Sequence, residues 1–238
     1  MKELKVIKIG GNIVDNEEAL DDFVVKFAAL DGPKVLIHGG GVLASRMASQ
    51  MGLETKMING RRVTDIETLK LVTMVYAGWC NKTIVAKLQN AGCNDIGLSG
   101  ADACAVPAKK RSPVPVDYGF VGDVDTTAIN SASISALVEN GFTPVFCAIT
   151  YDGQGGLLNT NADTMAQSIA TAMASAGWKV SLTFCFEKNG VLNDVNNPES
   201  VIPLITRATA DDMISRGKIA DGMIPKIENA FAAIRSGV

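Results

Sequence analysis

The chain has 238 residues, 47% of them hydrophobic, and 22 basic against 25 acidic side chains give a formal net charge of −3. That length and apolar content are enough to bury a sizeable core and exclude disorder, and the slightly acidic balance excludes a nucleic-acid or anionic-membrane surface as the main partner. Five scattered cysteines without a Cys-x-x-Cys pair read as reduced thiols in a cytoplasm and exclude a thiolate zinc site, while the longest uncharged stretch, 164–178, is too short to span a bilayer.

The first predicted strand, 4–9, is a β-branched run that stops in Gly10 and Gly11 with Lys8 beside its tip. Adjacent glycines there let backbone N–H groups approach an anion, and the lysine adds a mobile point charge suited to phosphate. An apolar stripe over 17–30 predicts a helix, and Asp31-Gly32-Pro33 breaks it. The arrangement then repeats: a buried-looking strand, 35–38, runs into Gly39-Gly40-Gly41 and a helical pattern over 42–51. Strand, helix, strand, helix is the rhythm of a parallel sheet, whose ligands sit beyond the carboxyl ends of the strands.

Asn59-Gly60 predicts a hairpin turn within 56–63, with Arg61 and Arg62 just after it. Adjacent strand residues point to opposite faces, so one arginine reaches a ligand and its neighbour meets solvent or a partner. Thr64-Asp65 reads as the cap of a long helix to about residue 90, with Leu69, Val72, Tyr76, Trp79 and Ile84 on its apolar side and its aromatics able to serve a core or a subunit interface. Strands follow at 93–98 and 103–106, then a solvated charge run at 109–111, a strand at 120–124, a helix at 126–140 and a buried strand at 141–149. The glycine-rich stretch 152–156 reads as the crossing from a first lobe to a second. Helices are predicted over 162–176, 209–216 and 225–235, with a strand at 179–184 and a turn at Asn189-Gly190.

Two clusters at helix starts complete the candidate site. In 159–163, Asn-Thr-Asn-Ala-Asp, helix capping is an ordinary role for the Asn and Asp side chains. In 221–226, Asp-Gly-Met-Ile-Pro-Lys, Lys226 sits in the first turn, where a cation opposes the helix dipole and calls for a compensating anion, either Asp163 or a bound phosphate.

Taken together, Lys8-Ile9-Gly10-Gly11, His38-Gly39-Gly40-Gly41, Asn59-Gly60-Arg61-Arg62-Val63-Thr64 and these two clusters resemble the N-acetylglutamate kinase family of the amino acid kinase superfamily, in order and spacing across nearly the whole chain. The resemblance implies an α/β fold: an open, mostly parallel central sheet with helices on both faces, one domain over 1–238. Within it, residues 1–155 would bind the acyl-amino acid and 156–238 ATP. It implies phosphorylation by Mg-ATP of the side-chain carboxylate of N-acetyl-L-glutamate or a related acyl-glutamate such as N-succinyl-L-glutamate, a step of arginine biosynthesis, in a cytoplasmic homodimer. The motifs leave the acyl group open. Carried over by position, Lys8 and Lys226 resemble the lysines that stabilise the transferring phosphoryl group, with Asp163 orienting both. Gly40, Gly41, Arg62 and Asn159 resemble the acyl-glutamate contacts, and Gly10, Gly11, Glu187, Gly190, Lys218, Ile219 and Ala220 the nucleotide contacts. Mg²⁺ would be held by phosphate oxygens and water, with no protein ligand.

The chain departs from the family pattern in three places. Phe186-Glu187-Lys188-Asn189-Gly190 replaces the usual Ser/Thr-Asp-Val-x-Gly turn. It ends soon after its last helix, so either the C-terminus is cut or the sheet is smaller. No helical extension precedes the first strand, which in the family goes with dimers insensitive to arginine. Other members of the superfamily share the glycine strands and one lysine. From a different class, Gly39-Gly40-Gly41-Val42-Leu43-Ala44 fits a dinucleotide fingerprint, and a dinucleotide-dependent oxidoreductase is the rival reading. That rival lacks the acid expected after the next strand and leaves Lys8 and Lys226 unexplained.

Overall fold

The computed structural model describes residues 2–58, 61–194, 196–219 and 223–238. Five strands make its central sheet: β1 (Glu3–Ile9), β2 (Lys34–His38), β3 (Asp95–Leu98), β4 (Thr143–Cys147) and β5 (Lys179–Cys185). They lie in the order β5-β1-β2-β4-β3, and every neighbouring pair is parallel. Parallel strands need crossovers and cover on both faces. The helices supply these: α1 (Glu17–Ala28), α2 (Gly41–Gln50), α3 (Ile66–Thr73), α4 (Asn81–Asn90), α5 (Ser131–Glu139), α6 (Ala162–Ser175), α7 (Arg207–Ser215) and α8 (Ile224–Arg235).

Side-chain parity decides which face each strand residue meets. Leu4, Val6, Val35 and Ile37 pack with Ile134 of α5 and Met165 of α6. Ile7, Ile9 and Leu36 pack on the other face with Val24 of α1 and Ile84 of α4. Because alternate strand residues share a face, Lys8 stands on the α6 side of the sheet and His38 on the α4 side. Both occupy the carboxyl ends of their strands, where β1 runs into a single helical turn at Gly11–Val14 and β2 runs into α2.

Several expectations about the elements change in the structure. The helical run after the Asp65 cap is interrupted by π-helical turns at Met74–Cys80. These wider i→i+5 turns shift the phase of the apolar stripe, so Leu69, Val72, Tyr76 and Ile84 are buried while Trp79 is 68% exposed. Residues 103–106 are not a strand. Asp102–Cys104 forms a 3₁₀ turn with left-handed Ala103 and Cys104, tied down by the Ser99 amide and hydroxyl, which donate to the Asp102 carboxylate. The charge run at 109–111 is not a free loop, because Ala108–Lys110 pairs with Gly122–Val124 and Arg111 donates to Asp123. Residues 152–156 form the tip of a hairpin between Ile149–Tyr151 and Leu157–Asn159, closed by Asp152 accepting from the Gly156 amide at 2.8 Å.

Candidate active site

The sheet brings Lys8, Asp163 and Lys226 into contact. Lys8 Nζ lies 2.6 Å from Asp163 Oδ1, and Lys226 Nζ lies 3.0 Å from Asp163 Oδ2. Each side chain arrives for a separate local reason. Lys8 is the last residue of its parity on β1. Asp163 is in the first turn of α6, whose cap Asn161 accepts from the Thr164 amide, and an acid is favoured at that end of a helix. Lys226 is in the first turn of α8, behind Pro225. The anion that offsets its position against the helix dipole is therefore Asp163.

Lys8 and Asp163 are both about nine-tenths buried, and that burial shapes their protonation. Burial pulls the Lys8 ammonium below the usual lysine value, against the opposing pull of Asp163. For Asp163 burial acts upward and is the largest single influence, but Lys8 and Lys226 together outweigh it and hold the carboxyl below its ordinary value.

Two cavities meet at this cluster. One, of about 430 Å³, is lined by Gly39–Gly41 ahead of α2, by Arg62, and by Asn159 through Asp163. The other, of about 550 Å³, is lined by Gly10, Gly11, Glu187, Gly190, Lys218 and Ile219, with Lys226 at its inner end. Lys8 and Gly11 line both. Of the residues singled out from sequence, Ala220 falls outside the described residues, as do Asn59-Gly60 and Asp221-Gly222 of the motifs.

In the first cavity the glycine loop needs its glycines for close approach. A Cβ at Gly40 would stand 2.8 Å from the Tyr76 ring and 3.0 Å from Cys80 Sγ. Arg62 is held in place, with Nη2 donating to the Gly41 carbonyl at 3.0 Å and Ser45 Oγ at 2.7 Å, and Nη1 donating to Thr55 Oγ1 at 3.3 Å. A guanidinium has five N–H donors, so the remainder can face a ligand. Asn159 Nδ2 donates to Thr64 Oγ1 at 3.0 Å.

Arg61 corrects the expectation from strand alternation, since it lines the same cavity as Arg62. Arg61 pairs with Ile58 and Arg62 with Met57 across the hairpin, and both long side chains reach the cavity wall from there. Tyr76 and Ser45 were not singled out as site residues. Ser45 could have been found from its place one helical turn after Gly41, whereas nothing in the sequence puts Tyr76 beneath Gly40.

Among the described residues no three of His, Cys, Asp and Glu gather as a metal site, and the one carboxylate of the cluster is already engaged by two ammonium groups. No helix there is long and apolar enough to cross a membrane. The arrangement is a pair of cations and free peptide amides between two cavities, suited to holding two anions against each other.

Comparison with known proteins gives a concordant result. The family model described as the amino acid kinase family matches residues 3–238. A Phocaeicola vulgatus protein named acetylglutamate kinase is 52% identical over 239 residues, covering 100% of this chain and 92% of its own. A crystal structure of a Streptococcus mutans protein superposes with a TM-score of 0.81 at 30% identity, covering 100% of this chain and 93% of that one. The Neisseria gonorrhoeae N-acetylglutamate synthase, complexed with coenzyme A and N-acetyl-glutamate, superposes at 0.79 with 18% identity, covering 99% of this chain and 52% of that one; it shares the fold.

Proposed function

The chain belongs to the amino acid kinase family, and from that premise we propose that it transfers the γ-phosphoryl group of ATP to the side-chain carboxylate of an N-acyl-L-glutamate. The acceptor in this reading is N-acetyl-L-glutamate, with N-succinyl-L-glutamate the related substrate to compare, and the product is an acyl phosphate of arginine biosynthesis. One observation carries the reading: Lys8, Asp163 and Lys226 are joined where the two cavities meet.

A side-chain carboxylate has a reference pKa of about 4, so at neutral pH it is already a nucleophile and needs no general base. One carboxylate oxygen forms a bond to the γ-phosphorus while the bond from that phosphorus to the β,γ-bridging oxygen breaks, and ADP leaves with the electron pair. The obstacle is repulsion between anions, so catalysis consists of positioning and charge neutralisation. Lys8 and Lys226 would face the transferring group from its two sides, with Asp163 fixing both ammonium groups. Gly11 offers its amide to the phosphates, while Gly10, whose own N–H already donates to the Cys185 carbonyl at 2.9 Å, lines the nucleotide side with Glu187, Gly190, Lys218 and Ile219. Arg62 would take the α-carboxylate, and Gly40, Gly41 and Asn159 the acyl-amino acid. ATP would arrive as its Mg²⁺ complex, the ion lowering the charge on the phosphate oxygens that bind it.

In this proposal 1–155 serves mainly the amino acid and 156–238 mainly ATP, with two exchanges: Asn159 to Asp163 reach the first cavity and Lys8 to Gly11 the second. The five unpaired cysteines support a cytoplasmic setting. A homodimer is supported by apolar side chains left outside along the 66–90 helical run, with Met74 58% and Trp79 68% exposed. Sedimentation should then give twice the chain mass, and Trp79→Glu should shift it to the single-chain mass; a wild-type chain sedimenting alone would remove the dimer.

The test of activity is a coupled ADP-release assay with N-acetyl-, N-succinyl- and free L-glutamate, with hydroxylamine trapping the acyl phosphate. ADP release that ignores every acyl-glutamate would overturn the reading. In the same assay Arg62→Ala should raise the KM for the acyl-amino acid roughly ten- to a hundredfold, as loss of a charge-assisted bond does, and leave the KM for ATP within about twofold.

A further inference from the structure

We propose that His38 and Asn81, neither of which touches the cavity, are positioning residues that aim the Gly40 amide at the acyl-amino acid; this rests on the kinase reading above. His38 is completely buried on the α4 side of the sheet, and Asn81 is the first residue of α4. Asn81 Nδ2 lies 2.9 Å from the Val145 carbonyl oxygen and 3.0 Å from His38 Nε2, and His38 Nδ1 lies 2.7 Å from the Gly39 carbonyl oxygen.

The protons in this chain can be assigned by elimination. A carbonyl only accepts, so the Asn81 atom facing Val145 must be the amide nitrogen, and its second hydrogen points to His38 Nε2. Nε2 therefore accepts, Nδ1 carries the ring proton, and Nδ1–H donates to the Gly39 carbonyl. That carbonyl belongs to the peptide unit whose N–H is that of Gly40. In a trans peptide the two groups point opposite ways. Drawing the carbonyl onto the buried ring thus turns the Gly40 N–H away from it, to the side where Gly39, Gly40 and Gly41 line the cavity. As the cap residue of α2, Gly40 has no acceptor for that N–H within the helix.

Two further observations agree. Burial pushes the imidazole down to about 4, with Lys82 adding to the shift, so the ring is neutral at neutral pH, as an accepting Nε2 requires. Asn81 is itself held from behind, because a Cβ at Gly97 on β3 would overlap its Oδ1.

His38 is the only histidine in the chain, so its ring nitrogens can be read by ¹⁵N NMR without assignment. The expected spectrum is that of a neutral ring protonated at Nδ1, unchanged from pH 8 to pH 6; a ring protonated at Nε2 overturns the proposal. Kinetics supply the second arm. His38→Leu should raise the KM for the acyl-amino acid at least tenfold while the KM for ATP stays within twofold. His38→Asn, whose amide nitrogen can take the place of Nδ1, should recover to within about threefold of wild type. Gly97→Ala, whose Cβ would overlap Asn81 Oδ1 most closely and crowd Lys82 Nζ and Val85 Cγ2 but not the ring, should move the same KM in the same direction and serves if His38→Leu does not fold. A folded Leu or Ala variant with wild-type KM values, or an Asn variant no better than Leu, overturns it. Should the wild type phosphorylate no acyl-glutamate, the kinase reading fails and the NMR arm still decides the proton arrangement.

Discussion

Lys8→Ala and Lys226→Ala should each lower kcat on the order of a hundredfold or more, the loss seen when one preorganised charge donor is removed from a site of charge transfer. The expectation follows from how firmly each ammonium is held. Lys8 is fixed by strand parity on β1 and by a 2.6 Å contact to Asp163, and Lys226 by the start of α8 and a 3.0 Å contact to the other oxygen of the same carboxylate. Neither would have to be drawn in at the moment of the proposed reaction, so the stabilisation they would give is not offset by reorganisation. The KM for the acyl-amino acid should change far less in both variants, because Arg62 keeps its bonds to Gly41 and Ser45 and the glycine loop is untouched. Both variants should fold, since Asp163 keeps one of its two partners in each. Steady-state kinetics decide the matter: if both variants keep wild-type turnover, the roles given to the two lysines are wrong.

Much of this site is legible in the sequence because charges stand at places where a folded chain has few alternatives. Lys8 at the tip of an apolar strand, Asp163 in the first turn of a helix and Lys226 against a helix dipole each have a position that predicts an electrostatic partner, and the partners prove to be one another. The parallel sheet is equally legible, since its strands are short β-branched runs separated by helical stripes. What escaped detection depends on contacts between distant segments. Tyr76 lies under Gly40 because the chain packs π-helical turns against the loop after β2, and the same turns carry Trp79 out to solvent. The left-handed turn at 103–104 is imposed by one carboxylate, that of Asp102, which takes two hydrogen bonds from Ser99. Arg61 joins Arg62 at the cavity through the reach of a long side chain, which periodicity does not report.

Asp163→Ala should be the most destabilising single change at the site, and the reason is the pair of cations it leaves behind. Removing one member of a buried, paired set leaves uncompensated charge and costs about 3–5 kcal/mol. Lys226 is partly exposed and can turn toward water, whereas the Lys8 side chain is 8% exposed and cannot. In the wild type the carboxyl is held below its ordinary value, so its contribution is complete above about pH 4 and is lost only as pH falls further, through its folded pKa. In the variant Lys8 loses the neighbour that most strongly opposes the downward effect of burial and keeps the Lys226 charge that adds to it, so its pKa drops again. Between that lowered value and the unfolded value of about 10.4 the unfolded chain binds more protons, and stability should therefore rise with pH. Denaturant melts of Asp163→Ala at pH 7 and pH 9.5 should show a large loss at the first and a partial recovery at the second. Adding Lys8→Met should restore stability at pH 7 while leaving the protein inactive, because an apolar side chain of similar length removes the stranded charge. An Asp163→Ala protein that melts within about 1 kcal/mol of wild type at pH 7, or a double variant no more stable than the single one, would mean that this carboxylate is not what allows a lysine to remain charged at the end of β1.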